Sequence, residues 1–536
     1  MSAIRQDLVQ AAIARSHRLI KYNVHYDMHK QYEFQQQTVL ADDSLTKDER
    51  TYAIKRLNKA YDRDRVLNNS GSKRTCEDCK KECLAKYYCE FCVRNYLKAN
   101  FSNWTSGNDD IDNLIQKCQT ETLLPSRIIE WIPYNNLQNI KYLTKGGFSE
   151  IYTAIWIDGK YEEWDSKEQR LKRFGTQHAI LKSLYDVESA NQSWFEEVRN
   201  INAKTHLTIS NKRAEIVQCY GLTQNKLTGN YMLVMNIMDI NLREYLQLNH
   251  NKLTWKQKIN IAFEIIRDLY FIHKENAIHR DLHSGNILYS QFNDHWYISD
   301  LAFCGPANKS SKCIYGNLPY IAPEVINGKE YTFKSDIYSI AMLMWEISFE
   351  QPPFINYGHN YDLAINIING IRPRIASNSG IPVKYKNLME RCWNADPSKR
   401  PDIYTLWDKM QKINYDYQHM KDESFQPKIY SNLEIVKTNS LVSNINSRLF
   451  TSRTHQFEGL SESRNTTEDN LEAFHSKLYD FNIPNNIEDF NKLSNQNNRT
   501  SKMNSIFKAN NKKISIKNNI KETTQRTKGL NTNLND

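Results

Sequence analysis

The chain has 536 residues, 71 basic and 61 acidic, for a net charge of +10, with Gly (17) and Pro (13) both sparse. That length exceeds one compact core, so two to four domains are expected, and the composition excludes collagenous or Pro-rich fibrous architectures. No apolar run reaches the roughly 18 residues of a bilayer span, and no apolar signal region follows Met1, so a cytoplasmic chain without a transmembrane segment is expected.

Residues 1–70 read as a helical N-terminal region. Ile4, Leu8, Ala11 and Ala12 suit one modest helical face. Thr46 and Glu49 have capping-box spacing, followed by Tyr52, Ile54, Leu57, Ala60 and Tyr61 at helical recurrence. No catalytic constellation falls there, and these helices are expected to pack or to meet a partner protein.

Of ten cysteines, five fall between Cys76 and Cys92. Cys76-x2-Cys79 and Cys89-x2-Cys92 form two knuckles whose thiolates can complete a tetrahedral site for structural zinc. Redox use of one pair is the alternative. Four protein ligands leave no open position for catalysis, and Cys83 is spare. Residues 71–100 are therefore expected to be a Cys-rich zinc-binding module that draws its folding energy from the metal. Residues 101–136 read as a linker.

Strand and helix patterns begin near Trp131 and continue to about Met410. A strand, Gly-containing turn and strand at Tyr142–Tyr152 include Gly146 and Gly147, where phosphate oxygens can approach backbone amides. After a polar insertion at 158–175, His178–Lys182 reads as a strand ending on a lysine, followed by an acidic helical stretch containing Glu196 and Glu197. Further on come Ile278-His279-Arg280-Asp281-Leu282-His283-Ser284-Gly285-Asn286, then Ser299-Asp300-Leu301-Ala302, then Ala322-Pro323-Glu324. Phosphoryl transfer needs a group beside the attacking hydroxyl, oxygen ligands for magnesium, and a triphosphate clamp. Asp281, Asn286, Asp300 and Lys182 supply these in chain order.

These motifs, with Lys334–Ser339, Trp345-Glu346, Cys392-Trp393 and Pro397–Pro401, resemble the eukaryotic protein kinase superfamily over about 280 residues. The Asp-Leu-His-Ser-Gly-Asn run is similar to the tyrosine-kinase-like group, notably its large fungal sets. The resemblance implies an α+β, two-lobed protein kinase fold spanning 137–412, its small lobe at 137–239 and its helical lobe from 240. It implies ATP and Mg2+ as cofactors and protein substrates. Lys182 would pair with Glu197, Asp281 would accept the acceptor proton, and Asn286 and Asp300 would hold magnesium. Leu143, Gly146, Gly147, Ile151, Ala179 and Leu288 would line the nucleotide site, with Met235 as gatekeeper. Asp336 would hold the catalytic-loop backbone, and Glu324 would pair with Arg400.

Thr144, Ser149 and Ala302 stand where kinases commonly carry glycine. They favour, as an alternative, a pseudokinase signalling scaffold. His283 replaces the lysine usual in Ser/Thr kinases, and Asn317 replaces a threonine, so the reading is Ser/Thr transfer with Tyr left open. Arg280 implies control through the activation segment, with Ser310, Ser311 and Tyr315 as candidate acceptors.

Residues 413–536 read as a disordered basic tail, open to partner proteins. From Ser501 onward eight basic residues face two acidic ones. A nucleic-acid-associated role through the Cys module and tail is a second alternative, but Glu77, Asp78 and Glu82 offset the module's lysines, so nucleic-acid binding is not expected.

Overall fold

The computed structural model describes residues 4–21, 24–25, 27–145, 149–184, 202–213, 215–301, 314–376, 379–420, 452–457 and 462–467. Three helices open the chain: α1 (Gln6–Arg18), α2 (Met28–Leu40) and α3 (Lys47–Asn68). The start of α3 is fixed by a capping box. Glu49 N–H donates to the Thr46 hydroxyl at 3.3 Å, and Thr46 N–H donates to the Glu49 carboxylate at 2.8 Å. Val9, Ala12, Val39, Leu45, Ala53 and Leu57 bury themselves between the three helices.

The Cys segment follows as a short hairpin, β1 (Arg74–Thr75) with β2 (Glu82–Cys83), then α4 (Glu90–Ala99). Asp62 of α3 ties this segment down by accepting the backbone N–H groups of Lys86 and Tyr87 at 2.8 and 3.0 Å. Residues 101–136, expected as a linker, instead carry α5 (Asp109–Thr120) and a strand, β3 (Glu130–Trp131). Backbone pairing explains the difference: β3 runs parallel to β9 (Cys219–Gln224) and supplies the edge of the main sheet.

That sheet has six strands in the order β3-β9-β10-β8-β5-β4. Its members are β4 (Leu137–Lys145), β5 (Ser149–Trp156), β8 (Gln177–Leu184), β9 (Cys219–Gln224) and β10 (Tyr231–Met235). The polar insertion between β5 and β8 is a hairpin, β6 (Tyr161–Asp165) with β7 (Arg170–Arg173). Its apolar residues Trp164 and Leu171 are buried among Cys76, Cys83, Tyr88, Cys89, Cys92 and Val93. The insertion thus packs the Cys segment against the small lobe. Arg173 anchors its base on Glu130 of β3 at 2.6 Å.

After α6 (Asn202–Lys212) and the sheet, the larger lobe is helical: α7 (Leu242–Leu248), α8 (Trp255–Lys274), α9 (Pro323–Ile326), α10 (Phe333–Phe349), α11 (Tyr361–Ile368), α12 (Val383–Cys392) and α13 (Ile403–Gln418). Its core surrounds α10, whose residues from Ile337 to Ile347 are all buried. A helix apolar on every side belongs at the centre of a lobe. A small sheet of β11 (Ile240–Asn241), β12 (Ile287–Ser290) and β13 (His295–Ile298) packs against α7 and α8. The N-terminal helices dock on the turn of its β12–β13 hairpin. Gln10 donates to the Asn293 carbonyl at 2.8 Å, and Arg18 meets Asp294 at 2.6 Å.

The region after 412 differs from the expectation in two places. Helix α13 continues to Gln418, and residues 453–455 form β15 (Arg453–His455), antiparallel to β14 (Ile314–Gly316). No helix among the described residues is long and apolar enough to cross a membrane.

Candidate active site

Lys182 lies near the end of β8, opposite Ile151 on β5 and Leu233 on β10. Directly opposed residues share one face of a sheet, as do residues two apart on a strand. The face bearing Lys182 therefore also carries Ile151, Ile180, Leu233 and Met235. Ile180 and Leu288 pack with Leu233 and Met235. This corrects one expectation: Ala179 belongs to the opposite face, fully buried with Leu181, Trp156 and Val234. Ile180, two residues before Lys182, takes the position assigned to Ala179. Leu143 on β4 is exposed, and Leu288 and Ile151 are half-buried. Gly146, Gly147, Glu196, Glu197, Ala302, Ser310 and Ser311 lie outside the described residues.

Across from Lys182 stand two loops braced on each other. The first, between α8 and β12, carries Asp281 and Asn286, and the second, after β13, carries Asp300. Ser299 joins them, donating both its N–H and its hydroxyl to the Asn286 carbonyl at 2.8 and 2.9 Å. His279 faces the Ser299 carbonyl through Nε2 at 2.9 Å, and its Nδ1 accepts the Asp281 N–H at 3.3 Å. Burial pushes the His279 imidazole below its ordinary value, which suits a neutral ring with one donor and one acceptor nitrogen.

Lys182 Nζ is 2.5 Å from Asp300 Oδ1. Asp281 is buried and accepts from the Asn286 amide, whose Nδ2 also donates to the Asp281 backbone carbonyl at 2.8 Å. With that nitrogen committed to Asp281, the atom Asn286 can offer a cation is its amide oxygen. Asn286 and Asp300 are thus hard oxygen donors on adjoining loops, a donor set that fits magnesium. Burial raises the Asp281 carboxyl to about 7; the Ser452 hydroxyl, Lys182 and Asn286 oppose the rise, and the Asp300 charge adds to it.

Two neighbours were not predicted to reach the site. His283, two residues along the loop from Asp281, accepts the Gly285 N–H on Nδ1 at 3.0 Å. Any side chain at position 285 would crowd that ring, since a Cβ there meets His283 Cε1 at 2.8 Å. Ser452, 171 residues from Asp281, places its hydroxyl 2.7 Å from Asp281 Oδ1. No local signal in the Asn/Ser/Thr-rich sequence around Ser452 marks it.

Two supports lie behind the loops. Asp336 at the start of α10 accepts the backbone N–H groups of His279 and Arg280, and Glu324 forms a two-pronged ion pair with Arg400, both contacts at 2.7 Å. At a distance, the Sγ atoms of Cys76, Cys79, Cys89 and Cys92 all lie within 4.8 Å of one another. A tetrahedral thiolate site with Zn–S bonds of about 2.3 Å has sulfur edges of about 3.8 Å. The Cys76–Cys92 and Cys79–Cys89 separations, 3.7 and 3.6 Å, fit it. Cys83 instead directs its thiol to the Arg74 carbonyl at 3.4 Å.

A family model described as protein tyrosine and serine/threonine kinase matches residues 137–410, just over half of the chain. Among similar proteins are the serine/threonine-protein kinase VIK of Arabidopsis thaliana, 29% identical over 290 residues that cover 52% of this chain and 60% of VIK. The probable serine/threonine-protein kinase gdt4 of Dictyostelium discoideum is 28% identical over 304 residues, covering 55% of this chain and 17% of gdt4. The probable serine/threonine-protein kinase roco7 of the same organism is 26% identical over 294 residues, 53% of this chain and 10% of roco7. This chain therefore spans less than two thirds of each of these relatives. The motif order, the two-lobed fold and the family match together make the chain a member of the protein tyrosine and serine/threonine kinase family.

Proposed function

We propose that this chain transfers the γ-phosphate of ATP, with magnesium, to serine and threonine hydroxyls of proteins. The observation that carries the reading is the convergence of Lys182, Asp281, Asn286 and Asp300, from two lobes, on one cluster. The relatives described above are named serine/threonine-protein kinases, which supports the choice of hydroxyl. Bound magnesium ATP supplies the phosphoryl group and a cation that spreads the charge of the transferring phosphate.

The chain's own residues do the positioning. Asp281 orients the acceptor hydroxyl and takes up its proton, for which a carboxyl held near neutrality is suited. Asn286 and Asp300 offer oxygens to the cation. Lys182, at present held by Asp300, provides the positive charge that phosphate oxygens would meet. Asp336 and Ser299 keep the two loops in register, so the catalytic gain comes from placement and electrostatics. The four cysteines are proposed to bind structural zinc, which would stiffen the segment that Trp164 and Leu171 pack against.

The test is magnesium-dependent transfer of labelled γ-phosphate to generic Ser/Thr and Tyr substrates. Transfer to Ser/Thr alone, abolished by Lys182→Met, supports the reading. Transfer to Tyr alone contradicts the hydroxyl assignment, and nucleotide binding without transfer contradicts the enzyme assignment.

A further inference from the structure

We infer that Ser452 is a phosphoacceptor of this chain's own active site, presented in cis by residues 452–457 lying where an acceptor peptide would lie. The inference rests on the kinase reading above and names a substrate for it.

The first support is the polarity of the hydroxyl. Ser452 is buried, its Oγ 2.7 Å from Asp281 Oδ1 and 3.0 Å from His283 Nε2. His283 Nδ1 accepts the Gly285 N–H, so a neutral ring carries its proton on Nε2. Nε2–H therefore donates to Ser452 Oγ, and the serine proton is left to point at Asp281. An acceptor hydroxyl needs that arrangement, its proton aimed at a carboxylate and its oxygen held still.

The second support is the way the segment is held. Arg453, Thr454 and His455 pair antiparallel with Gly316, Tyr315 and Ile314, so that β15 and β14, the strand that follows the activation segment, make a two-stranded sheet. Strand addition is a general mode of peptide capture, with backbone bonds supplying affinity and alternate side chains supplying selectivity. Here the Arg453 guanidinium donates to the His359 carbonyl, and His455 Nε2 meets the Gly316 carbonyl at 3.0 Å. Phe457 stacks on His455 and packs against Tyr361 at the start of α11. The contacts run from Ser452 along five following residues, as they would for a peptide substrate.

A third support is a second anchor at the other end of α11. Arg464 N–H donates to the Ile368 carbonyl at 2.9 Å, and Asn465 Oδ1 accepts the Ala395 N–H at 2.9 Å. Gly370, at φ +92°, lets this stretch approach, since a Cβ there would stand 2.3 Å from the Thr466 nitrogen. Two anchors flanking one helix hold the segment at high effective concentration.

In the transfer, Ser452 Oγ forms a bond to the γ-phosphorus of ATP while the bond from that phosphorus to the β,γ-bridging oxygen breaks. ADP leaves with the bonding electron pair, and the serine proton passes to Asp281 and then to solvent. One ATP is consumed and no oxidant or reductant is needed. The Tyr315 phenol also neighbours Asp281 and Ser452, and burial beside Asp281 and Asp300 raises it well above its ordinary value.

The test uses the full chain, dephosphorylated and then given magnesium ATP, with a generic Ser/Thr protein substrate in a parallel reaction. Site-resolved mass spectrometry should find phosphate on Ser452, with a half-time unchanged by about tenfold dilution, as an intramolecular step requires. The signal should vanish in Ser452→Ala, and Phe457→Asp should slow it several-fold. Transfer to the generic substrate with Ser452 unmodified overturns the inference alone. So does phosphate that falls on Tyr315 instead, or a Ser452 half-time that lengthens in proportion to dilution. Failure to phosphorylate either substrate overturns the kinase reading, and this inference with it.

Discussion

Asp336 accepts the backbone N–H of Arg280 at 3.0 Å, and Arg280 itself stands in the left-handed region at φ +71°. The same carboxylate accepts the His279 N–H at 2.8 Å and faces His273 Nε2 at 2.9 Å. A non-glycine residue at positive φ costs on the order of 1–3 kcal/mol and persists only where its surroundings hold it. Asp336 is that restraint, and the loop it holds carries Asp281. Asp300 repeats the pattern at φ +58° on the facing loop.

Asp336→Asn preserves shape but removes the charge that strengthens two backbone hydrogen bonds. Hydrogen bonds to charged groups contribute about 1.5–3 kcal/mol each, so the catalytic loop should relax and transfer should fall about 10- to 100-fold. Steady-state rates beside a urea titration check this. A variant that keeps the wild-type turnover would show that Asp336 does not restrain the loop.

The Glu324–Arg400 pair is almost wholly shielded from water. Arg400 also donates to the Lys334 and Asn394 carbonyls. Arg400→Met would strand the Glu324 carboxylate in the interior, and breaking a buried pair from one side costs about 3–5 kcal/mol. The expected result is a large fall in the denaturant midpoint of the helical lobe, against a much smaller effect for the exposed pair Lys412–Asp408 in Lys412→Ala.

For the Cys segment, elemental analysis should find one zinc per chain. Cys79→Ser should lose it. Cys83→Ser should retain it, because the Cys83 thiol is turned to the Arg74 carbonyl. Chelation should also disturb Trp164, which is buried against these cysteines, and so shift tryptophan emission to longer wavelength. Metal retained by Cys79→Ser but lost by Cys83→Ser would overturn the ligand assignment.

Lys160 offers a pH-dependent stability effect. Burial, reinforced by the Arg127 charge, lowers its ammonium to about 8, while Phe174 and Tyr220 rings lie 5.9 Å from Nζ. The unfolded chain therefore binds more protons than the folded one between about pH 8 and the ordinary lysine value near 10.4, and stability from this group rises with pH across that window. Lys160→Met should raise stability at pH 7 by on the order of 1–2 kcal/mol and remove the rise. Denaturation midpoints of both proteins at pH 7 and 10 measure the difference; equal slopes would refute it.

The legible part of the site was the part carried by local motifs. Asp281, Asn286 and Asp300 sit on short loops whose sequence order reflects their chemistry, and the structure places all three with Lys182. Ala179 was misplaced although strand alternation, counted back from Lys182, points to Ile180 instead. The hairpin at 161–173 reads as a polar insertion because few of its side chains, chiefly Trp164 and Leu171, turn inward, against cysteines some 80 residues earlier. Strand β3 is two residues long, too short for any periodicity. Ser452 depends on a contact 171 residues away, in a stretch whose composition favours disorder. Capping, by contrast, is local, and the Thr46–Glu49 box was readable from spacing alone.

In the proposed mechanism Asp281 orients and deprotonates the acceptor while other groups bind the nucleotide. Its most direct test compares initial rates of γ-phosphate transfer, and ATP affinity by calorimetry, for the wild type and Asp281→Asn. Loss of a positioned general base predicts a fall of about 10²- to 10⁴-fold in rate with ATP affinity nearly unchanged. Equal transfer rates in the two proteins would contradict the account.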